Sequence, residues 1–159
     1  ARTGLQVDVR RIGGFGAASV EVIHYKNPTS RPLIFSASPP PSSVAAVIAA
    51  LDIIEAEPER RQQLWHTTNK MMKAFKQMGF DTGVSETPII PLVIGGMEQT
   101  FMMWKSLFDE GLFVNSVVPP ATTPGRCLIR TSFMATHTDD MLDRVLGIFE
   151  KAGKKHGVI

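Results

Sequence analysis

The sequence predicts an α+β fold in which a small sheet carries helices on one of its faces. The first observation is the order of the predicted elements: from about residue 86 it is strand, helix, strand, strand, helix, with two helices before it. The second is composition, since 43% of the 159 residues are hydrophobic and 20% are charged, as in a globular chain. The third is length, which suits one domain, or one domain and a fragment.

Charge, cysteine content and apolar run length exclude several classes of protein. The 17 basic and 15 acidic side chains give a formal net charge of +2, and no basic stripe interleaved with aromatic residues marks a nucleic-acid binder. The single cysteine, Cys127, excludes an internal disulfide and a cysteine-based zinc site. The longest apolar run, 44–51, is far shorter than the roughly 20 residues that a bilayer requires. We expect a cytoplasmic protein with no transmembrane segment.

The first elements of the chain are weakly defined. Residues 1–11 alternate weakly, as an edge strand or a disordered lead-in would. Residues 20–25 fit a short helix or a strand, and 27–32 (NPTSRP) predict a loop because they hold two prolines and two turn-forming residues.

Two helices are predicted next. The first follows the prolines at 39–41, with Ser42 or Ser43 as its N-cap, and its apolar face is formed by Val44, Val47, Ile48, Leu51 and Ile54. The second begins at Pro58 and ends at Gly79, and its inner stripe is formed by Leu64, Thr68, Met71, Phe75 and Met78.

The remaining elements form the predicted sheet and two helices. The segment 87–96 is a strand whose two prolines favour a sheet edge or a strand start, and 112–118 is a second strand. Between them a helix is predicted from about residue 98 to 110, with Phe101, Trp104, Leu107 and Phe108 facing inward. Thr136 or Thr138 caps the last helix, whose apolar face is formed by Met141, Leu142, Val145, Leu146 and Phe149.

Arg130 is the most informative charged residue. It lies in a third predicted strand, 126–134, on the same side as Arg126 and Leu128, where a guanidinium is costly unless it is paired. Because arginine suits bidentate recognition of a carboxylate, Arg130 is a candidate substrate-binding residue. The alternative, which the residues alone favour, is a structural arginine that snorkels or pairs with a neighbouring Asp or Glu.

Two serines could bind a phosphate, whereas the glycines and the histidines complete no ligand-binding motif. Ser36 and Ser38 precede the prolines and a helix start, where hydroxyls and amides can hold a phosphate, although capping and turn formation explain the same residues. The glycines of GGFGA do not complete a dinucleotide-binding fingerprint. The four histidines are scattered, and no metal site is predicted.

From Ile12 onward the sequence resembles the α-oxoamine synthases. The matching strings occur in family order: IGGFGA, EVIHY, SRPLIFSASPPPSSVAA, GFDTGVSETPIIPLVIG, MMWKSLFDEGLFVNSVVPPATTPG, LIRTSFMATHT and KAGKKHGVI. The pair VNSVVPPATTPG and LIRTSFMATHT is most similar to the serine palmitoyltransferase branch, and the ending GKKHGVI is shared with the glycine C-acetyltransferase branch.

The resemblance implies the C-terminal small domain of a fold-type I enzyme that depends on pyridoxal 5′-phosphate (PLP), with a small antiparallel sheet. It implies that 1–11 is a lead-in outside the family pattern, that 12–40 ends the large PLP-binding domain, and that 41–159 is a helical connection and the small domain. The family comprises homodimers, or related heterodimers, that condense a small amino acid such as serine or glycine with an acyl-CoA, most with loss of CO₂. A glycine C-acetyltransferase or an 8-amino-7-oxononanoate synthase is the alternative activity.

The resemblance also implies roles for particular residues. Arg130 would bind the amino-acid carboxylate, Ser36, Ala37 and Ser38 would contact the PLP phosphate, and the loop 119–125 would lie near the acyl chain. The family's Schiff-base lysine falls on Val7 in this sequence, so the resemblance implies no catalytic residue in this chain and no activity for the chain alone. A lysine-less partner subunit of an active protomer is the alternative.

Overall fold

The computed structural model describes residues 5–9, 15–30 and 39–159. The chain divides into two compact units, residues 1–56 and residues 57–159. The resemblance implies boundaries after residues 11 and 40, which refer to the domains of the whole family enzyme. These boundaries stay a prediction.

The first unit contains a two-stranded antiparallel sheet followed by a helix. Strand β1 (Leu5–Val9) pairs with β2 (Phe15–Ser19). Of the two alternatives for the start of the chain, the strand is therefore confirmed over Leu5–Val9. Helix α1 (Val20–Thr29) follows directly. Residues 20–25, for which the sequence permits a helix or a strand, are therefore helical. The loop predicted from residue 27 is wrong up to Thr29, because Pro28 lies in the last turn, where proline removes only one intrahelical bond.

Helix α2 (Pro41–Ala56) is the second helix among the described residues of this unit. It begins slightly before the predicted serine caps, since proline is tolerated in the first turn of a helix. The predicted periodicity is present, but α2 has no buried residue. Its apolar side chains are between 42% and 55% exposed: Val44, Val47, Ile48, Leu51, Ile53 and Ile54. A helix that is apolar on most of its surface is typical of one covered by further protein.

The second unit is built on a three-stranded antiparallel sheet in the order β3–β5–β4. The strands are β3 (Ile89–Gly95), β4 (Asn115–Val117) and β5 (Cys127–Ser132). The predicted edge position of β3 is confirmed, and its proline, Pro91, pairs in register with Arg130 of the central strand. The small antiparallel sheet that the family resemblance implies is therefore present.

Strand β4 is shorter than the predicted segment 112–118. The N–H of Leu112 bonds to the carbonyl oxygen of Leu107 at 3.0 Å, which ties it to the preceding helix. The carbonyl oxygen of Val114 accepts a hydrogen bond from Trp104 Nε1 at 3.0 Å. The groups that would extend the strand are thus already bonded elsewhere.

Three helices, α3 (Pro58–Met78), α4 (Met97–Asp109) and α5 (Asp139–Lys155), complete this unit. Along β5 the side chains facing the helices are buried, and those of Leu128, Arg130 and Ser132 are half-buried or exposed. This alternation confirms the predicted arrangement with helices on one face of the sheet. Thr138 is the N-cap of α5, where its hydroxyl accepts from the N–H of Met141 at 3.4 Å.

The inward face of α4 differs from the prediction. Leu107 is buried as expected, but the other buried residues are Thr100 and Met103, while Phe101 and Phe108 are 43% and 49% exposed. Thr100 can be buried because its hydroxyl donates to the carbonyl of Gly96 at 2.7 Å. Of the four predicted residues, Leu107 and Trp104 therefore face the core, whereas Phe101 and Phe108 do not.

Three aromatic rings form the centre of the second unit. Phe75 lies 5.8 Å from Phe80 and 5.1 Å from Phe149, and Phe80 lies 6.2 Å from Phe149, all edge to face. Gly79 ends α3 with φ of 99°, as predicted, and so turns the chain toward Phe80. The edge-to-face geometry adds specific attraction to the area that the rings bury.

Two glycines of α5 make a matched test of this packing. A Cβ atom at Gly153 would lie 2.7 Å from the ring of Phe80 and 2.9 Å from Ile159, whereas one at Gly147 would meet nothing within 4 Å. We expect Gly153→Ala to lower the free energy of unfolding by about 1–2 kcal/mol through overpacking. Gly147→Ala should instead raise it by up to about 1 kcal/mol through helix propensity. Urea unfolding of both variants tests this. Changes in the free energy of unfolding that have the same sign in both variants would contradict the packing described here.

Lys70 of α3 holds the start of α5. Its Nζ lies 2.8 Å from Asp139 Oδ1 and 2.7 Å from Asp143 Oδ1. The hydrogen bond from Lys70 lowers the pKa of Asp139 below its ordinary value. Since the pKa is lower in the folded state, this stabilisation is complete above the ordinary carboxyl pKa and is lost as the pH falls through the folded value.

We therefore expect Lys70→Met to destabilise the protein at about pH 6, and this effect to shrink toward about pH 2. Unfolding midpoints of both proteins in urea at several pH values measure the difference. Lys73→Met is the control, because Lys73 makes no ion pair within the described residues. A destabilisation that is the same at every pH would contradict the role of the ion pair.

Candidate functional site

Arg130 lies at the middle of the open sheet face, meaning the face that α3, α4 and α5 leave uncovered. It belongs to the central strand β5 and is flanked in register by Pro91 of β3 and Asn115 of β4. Residues paired across antiparallel strands point to the same side of a sheet. The three side chains therefore form one row across the open face.

The guanidinium of Arg130 is only lightly engaged. Its Nη2 donates to Asn115 Oδ1 at 3.3 Å, and the side chain is exposed. Within the described residues it makes no ion pair, so the alternative of a neighbouring Asp or Glu partner is not found there. Because a guanidinium has five N–H donors, most of them remain available for a ligand.

The row next to Arg130 on the open face is apolar. Val93, Leu128 and Val117 are paired in register there, and all three are half-buried. A sheet face that meets water normally carries polar side chains. An apolar surface around a single guanidinium instead suits a face that is covered by further protein and binds an anion.

No acid–base pair stands on this open face, as far as the described residues extend. The titratable groups of the second unit whose pKa values are shifted lie on or beside its helices instead. For example, the hydrogen bond from Lys151 lowers the pKa of Glu110, and burial together with the nearby Lys155 lowers the pKa of His156. The geometry around Arg130 therefore suits the binding of an anion better than proton transfer. Asn115 was missed from the sequence, and only the strand register reveals that it lies beside Arg130.

The predicted cofactor-binding residues occupy positions 36–38, shortly before helix α2. Ser36, Ala37 and Ser38 lie outside the described residues. Val7, the position of the family lysine, lies in β1. Within the described ranges no group of three or more His, Cys, Asp or Glu side chains could hold a metal ion, and no helix there is long and apolar enough to cross a membrane.

The fold and the sequence of this chain match a known class of protein. A family model described as aminotransferase class I and II matches residues 10–149. The chain belongs to that family. The resemblance to α-oxoamine synthases is confirmed as well, since the relatives of this chain include serine palmitoyltransferases and 8-amino-7-oxononanoate synthases.

Two sequence relatives illustrate the likeness. The chain is 47% identical over 143 residues to a serine palmitoyltransferase of Bacteroides ovatus, which covers 90% of this chain and 36% of that protein. It is 37% identical over 148 residues to an 8-amino-7-oxononanoate synthase of Thermoanaerobacter pseudethanolicus, covering 93% of this chain and 38% of that protein. The chain thus spans little more than a third of the length of these relatives.

Solved structures agree with this assignment. A serine palmitoyltransferase from S. paucimobilis with a bound PLP–myriocin aldimine superposes with a TM-score of 0.79 at 38% identity, covering 93% of this chain and 38% of that chain. A structure of SPT with a PLP internal aldimine gives a TM-score of 0.78 at 37% identity over the same shares.

Proposed function

We propose that this chain is the C-terminal part of a PLP-dependent acyltransferase that condenses L-serine with a long-chain acyl-CoA and releases CO₂ and CoA. The identity of 43–47% to three serine palmitoyltransferases, against 37–38% to 8-amino-7-oxononanoate synthases, supports serine as the amino acid. Glycine with a different acyl donor is the second candidate, supported by the ending GKKHGVI.

The observation that carries the proposal is the position of Arg130. A guanidinium with unused donors lies on a largely apolar sheet face, where it can hold a carboxylate through two parallel hydrogen bonds. The bond to Asn115 restrains one side of the guanidinium and leaves the other for the amino acid. Arg130 thereby fixes the carboxylate of the substrate and orients its Cα for reaction.

PLP supplies the electron sink for the carbanion formed at the substrate Cα. Val7 takes the family's lysine position without supplying an amine, so Ser36, Ala37, Ser38 and polypeptide beyond these 159 residues would hold the cofactor. With Val7 at the lysine position, the chain by itself is expected to be inactive. The same valine also fits the alternative, in which the chain is a lysine-less partner subunit of an active protomer.

A homodimeric enzyme and a cytoplasmic location belong to the same proposal. The dimer follows from the family resemblance. A reducing compartment agrees with one free, buried thiol, Cys127. Sedimentation of the whole enzyme tests the dimer, and a monomer that binds PLP and serine would contradict it.

A chimera tests the function. Residues 12–159 replace the matching segment of the Bacteroides ovatus relative, whose own preceding part is kept. We expect the chimera to bind PLP, to change its visible spectrum when L-serine is added, and to release CoA from palmitoyl-CoA only when L-serine is present. The unmodified relative is the positive control, and the 159-residue chain alone should show none of these signals. A folded, PLP-loaded chimera that ignores L-serine would contradict the proposal.

A further inference from the structure

The segment after α5 closes over the aromatic centre of the second unit. We call residues 156–159 the C-terminal tail. The N–H of Val158 donates to the carbonyl oxygen of Gly153 at 2.9 Å, and Ile159 packs against the buried cluster. A Cβ atom at Gly153 would lie 2.7 Å from Phe80 and 2.9 Å from Ile159, so these two side chains are neighbours. The tail therefore covers one side of the core.

His156 attaches this tail to α4. Its Nε2 lies 2.8 Å from Ser106 Oγ, and its carbonyl oxygen accepts a hydrogen bond from Gln99 Nε2 at 2.7 Å. Lys155 Nζ donates to Ser106 Oγ at 3.4 Å. Because an ammonium group only donates and a serine has one O–H, Ser106 can donate to the neutral imidazole of His156. The three side chains then form a directed chain of hydrogen bonds from Lys155 through Ser106 to His156.

A second proton on the imidazole of His156 breaks this arrangement. An imidazolium has donors only, so Ser106 can no longer donate to Nε2. The serine hydroxyl is then left between two cations, His156 and Lys155. The contact that holds the tail on α4 is therefore specific to the neutral form of His156.

The charged groups around His156 do not offset this loss. Burial and the nearby charge of Lys155 lower the pKa of His156. The neighbouring carboxylates of α4, the residue after it and α5 are already bound by lysines, in the pairs Lys105–Asp109, Lys151–Glu110 and Lys154–Glu150. Since the pKa of His156 is lower in the folded state, this stabilisation is complete above the ordinary histidine pKa of about 6.5. It is lost as the pH falls through the folded value.

We propose that the contact between His156 and Ser106 is a pH-sensitive latch, which holds the C-terminal tail on the core while the imidazole is neutral and releases the tail when it is protonated. Release breaks the hydrogen bond from Val158 to Gly153 and uncovers the side of Phe80 next to Ile159. The latch operates without PLP or an amino acid, and so goes beyond the proposed function.

Hydrogen exchange of the Val158 amide in the 159-residue chain measures how often the tail is released. Between about pH 7.5 and about pH 5, we expect its protection factor, corrected for the intrinsic exchange rate, to fall about three- to tenfold, the scale of one hydrogen bond. The amide of Phe75, a fully buried residue of α3, should be better protected at both pH values. A protection factor of Val158 that does not change, or that equals that of Phe75, overturns the proposal.

Matched variants assign the effect to the latch. His156→Gln keeps an acceptor for Ser106 but has no proton to gain, so the pH dependence should vanish. Ser106→Ala removes the partner, so protection should already be low at about pH 7.5. His66→Gln replaces an exposed histidine of α3 and should keep the wild-type pH dependence. Thermal unfolding checks that each variant is folded.

Two results with these variants overturn the proposal. One is a pH dependence that persists in His156→Gln, and the other is wild-type protection of Val158 in Ser106→Ala at about pH 7.5. Since no step of this experiment uses PLP, its failure leaves the proposed acyltransferase untouched. Failure of the chimera likewise leaves a pH-dependent release of the tail standing.

Discussion

Replacing Arg130 by alanine in the chimera is expected to weaken L-serine binding by about 30- to 1,000-fold, which corresponds to about 2–4 kcal/mol. The physical reason is the loss of a charged, two-point contact to the carboxylate on a face whose neighbours, Val93, Leu128 and Val117, supply no replacement. Binding of palmitoyl-CoA should be unchanged. Titration of the cofactor spectrum with L-serine measures the effect.

Two matched variants sharpen this test. Arg130→Lys keeps the positive charge but removes the planar fork, so serine binding should fall between wild type and Arg130→Ala. Arg61→Ala removes an exposed arginine from α3 and should have no effect. Unchanged serine affinity in Arg130→Ala would show that the guanidinium is structural, which is the alternative that the residues alone favoured.

Replacing Phe75 by alanine is expected to lower the free energy of unfolding of the second unit by about 3–5 kcal/mol. Phe75 is fully buried and contacts both Phe80 and Phe149 edge to face, so its removal leaves a cavity and breaks two aromatic contacts. The three rings belong to different segments of the chain, and the gap cannot close without moving a helix.

Tryptophan fluorescence during urea unfolding reports on this unit, because both tryptophans of the chain, Trp65 and Trp104, lie within residues 57–159. Phe113→Ala is the control. Phe113 is exposed, and its truncation should change stability by no more than about 0.5 kcal/mol. Equal losses for both variants would contradict the core described here.

Local patterns were sufficient for most elements of the second unit. Helix α3 begins at Pro58 and ends at Gly79, as proline and glycine predict at helix ends. The alternation of residue types along β5 correctly places Arg130 on the opposite side of the strand from the buried side chains. These signals act within a few residues along the chain, which is why periodicity detects them.

Other features depended on partners distant in sequence. Phe101 and Phe108 were expected inside, yet Thr100 and Met103 occupy the core because the sheet and α5 set which stripe of α4 is covered. Strand β4 is cut short by the hydrogen bond from Trp104 to Val114. Neither effect has a periodic signature that a sequence pattern can detect.

From the sequence alone came the fold class, the positions of the second unit's helices and strands, Arg130 as the candidate carboxylate ligand, and the resemblance to α-oxoamine synthases. Only the tertiary structure determined that Asn115 lies beside Arg130, and that three phenylalanines meet at the centre. It also revealed that Ser106 of α4 meets His156 after the end of α5. Strand register and helix rotation bring these groups together across many residues of sequence, and both are decided by which surfaces pack best against each other.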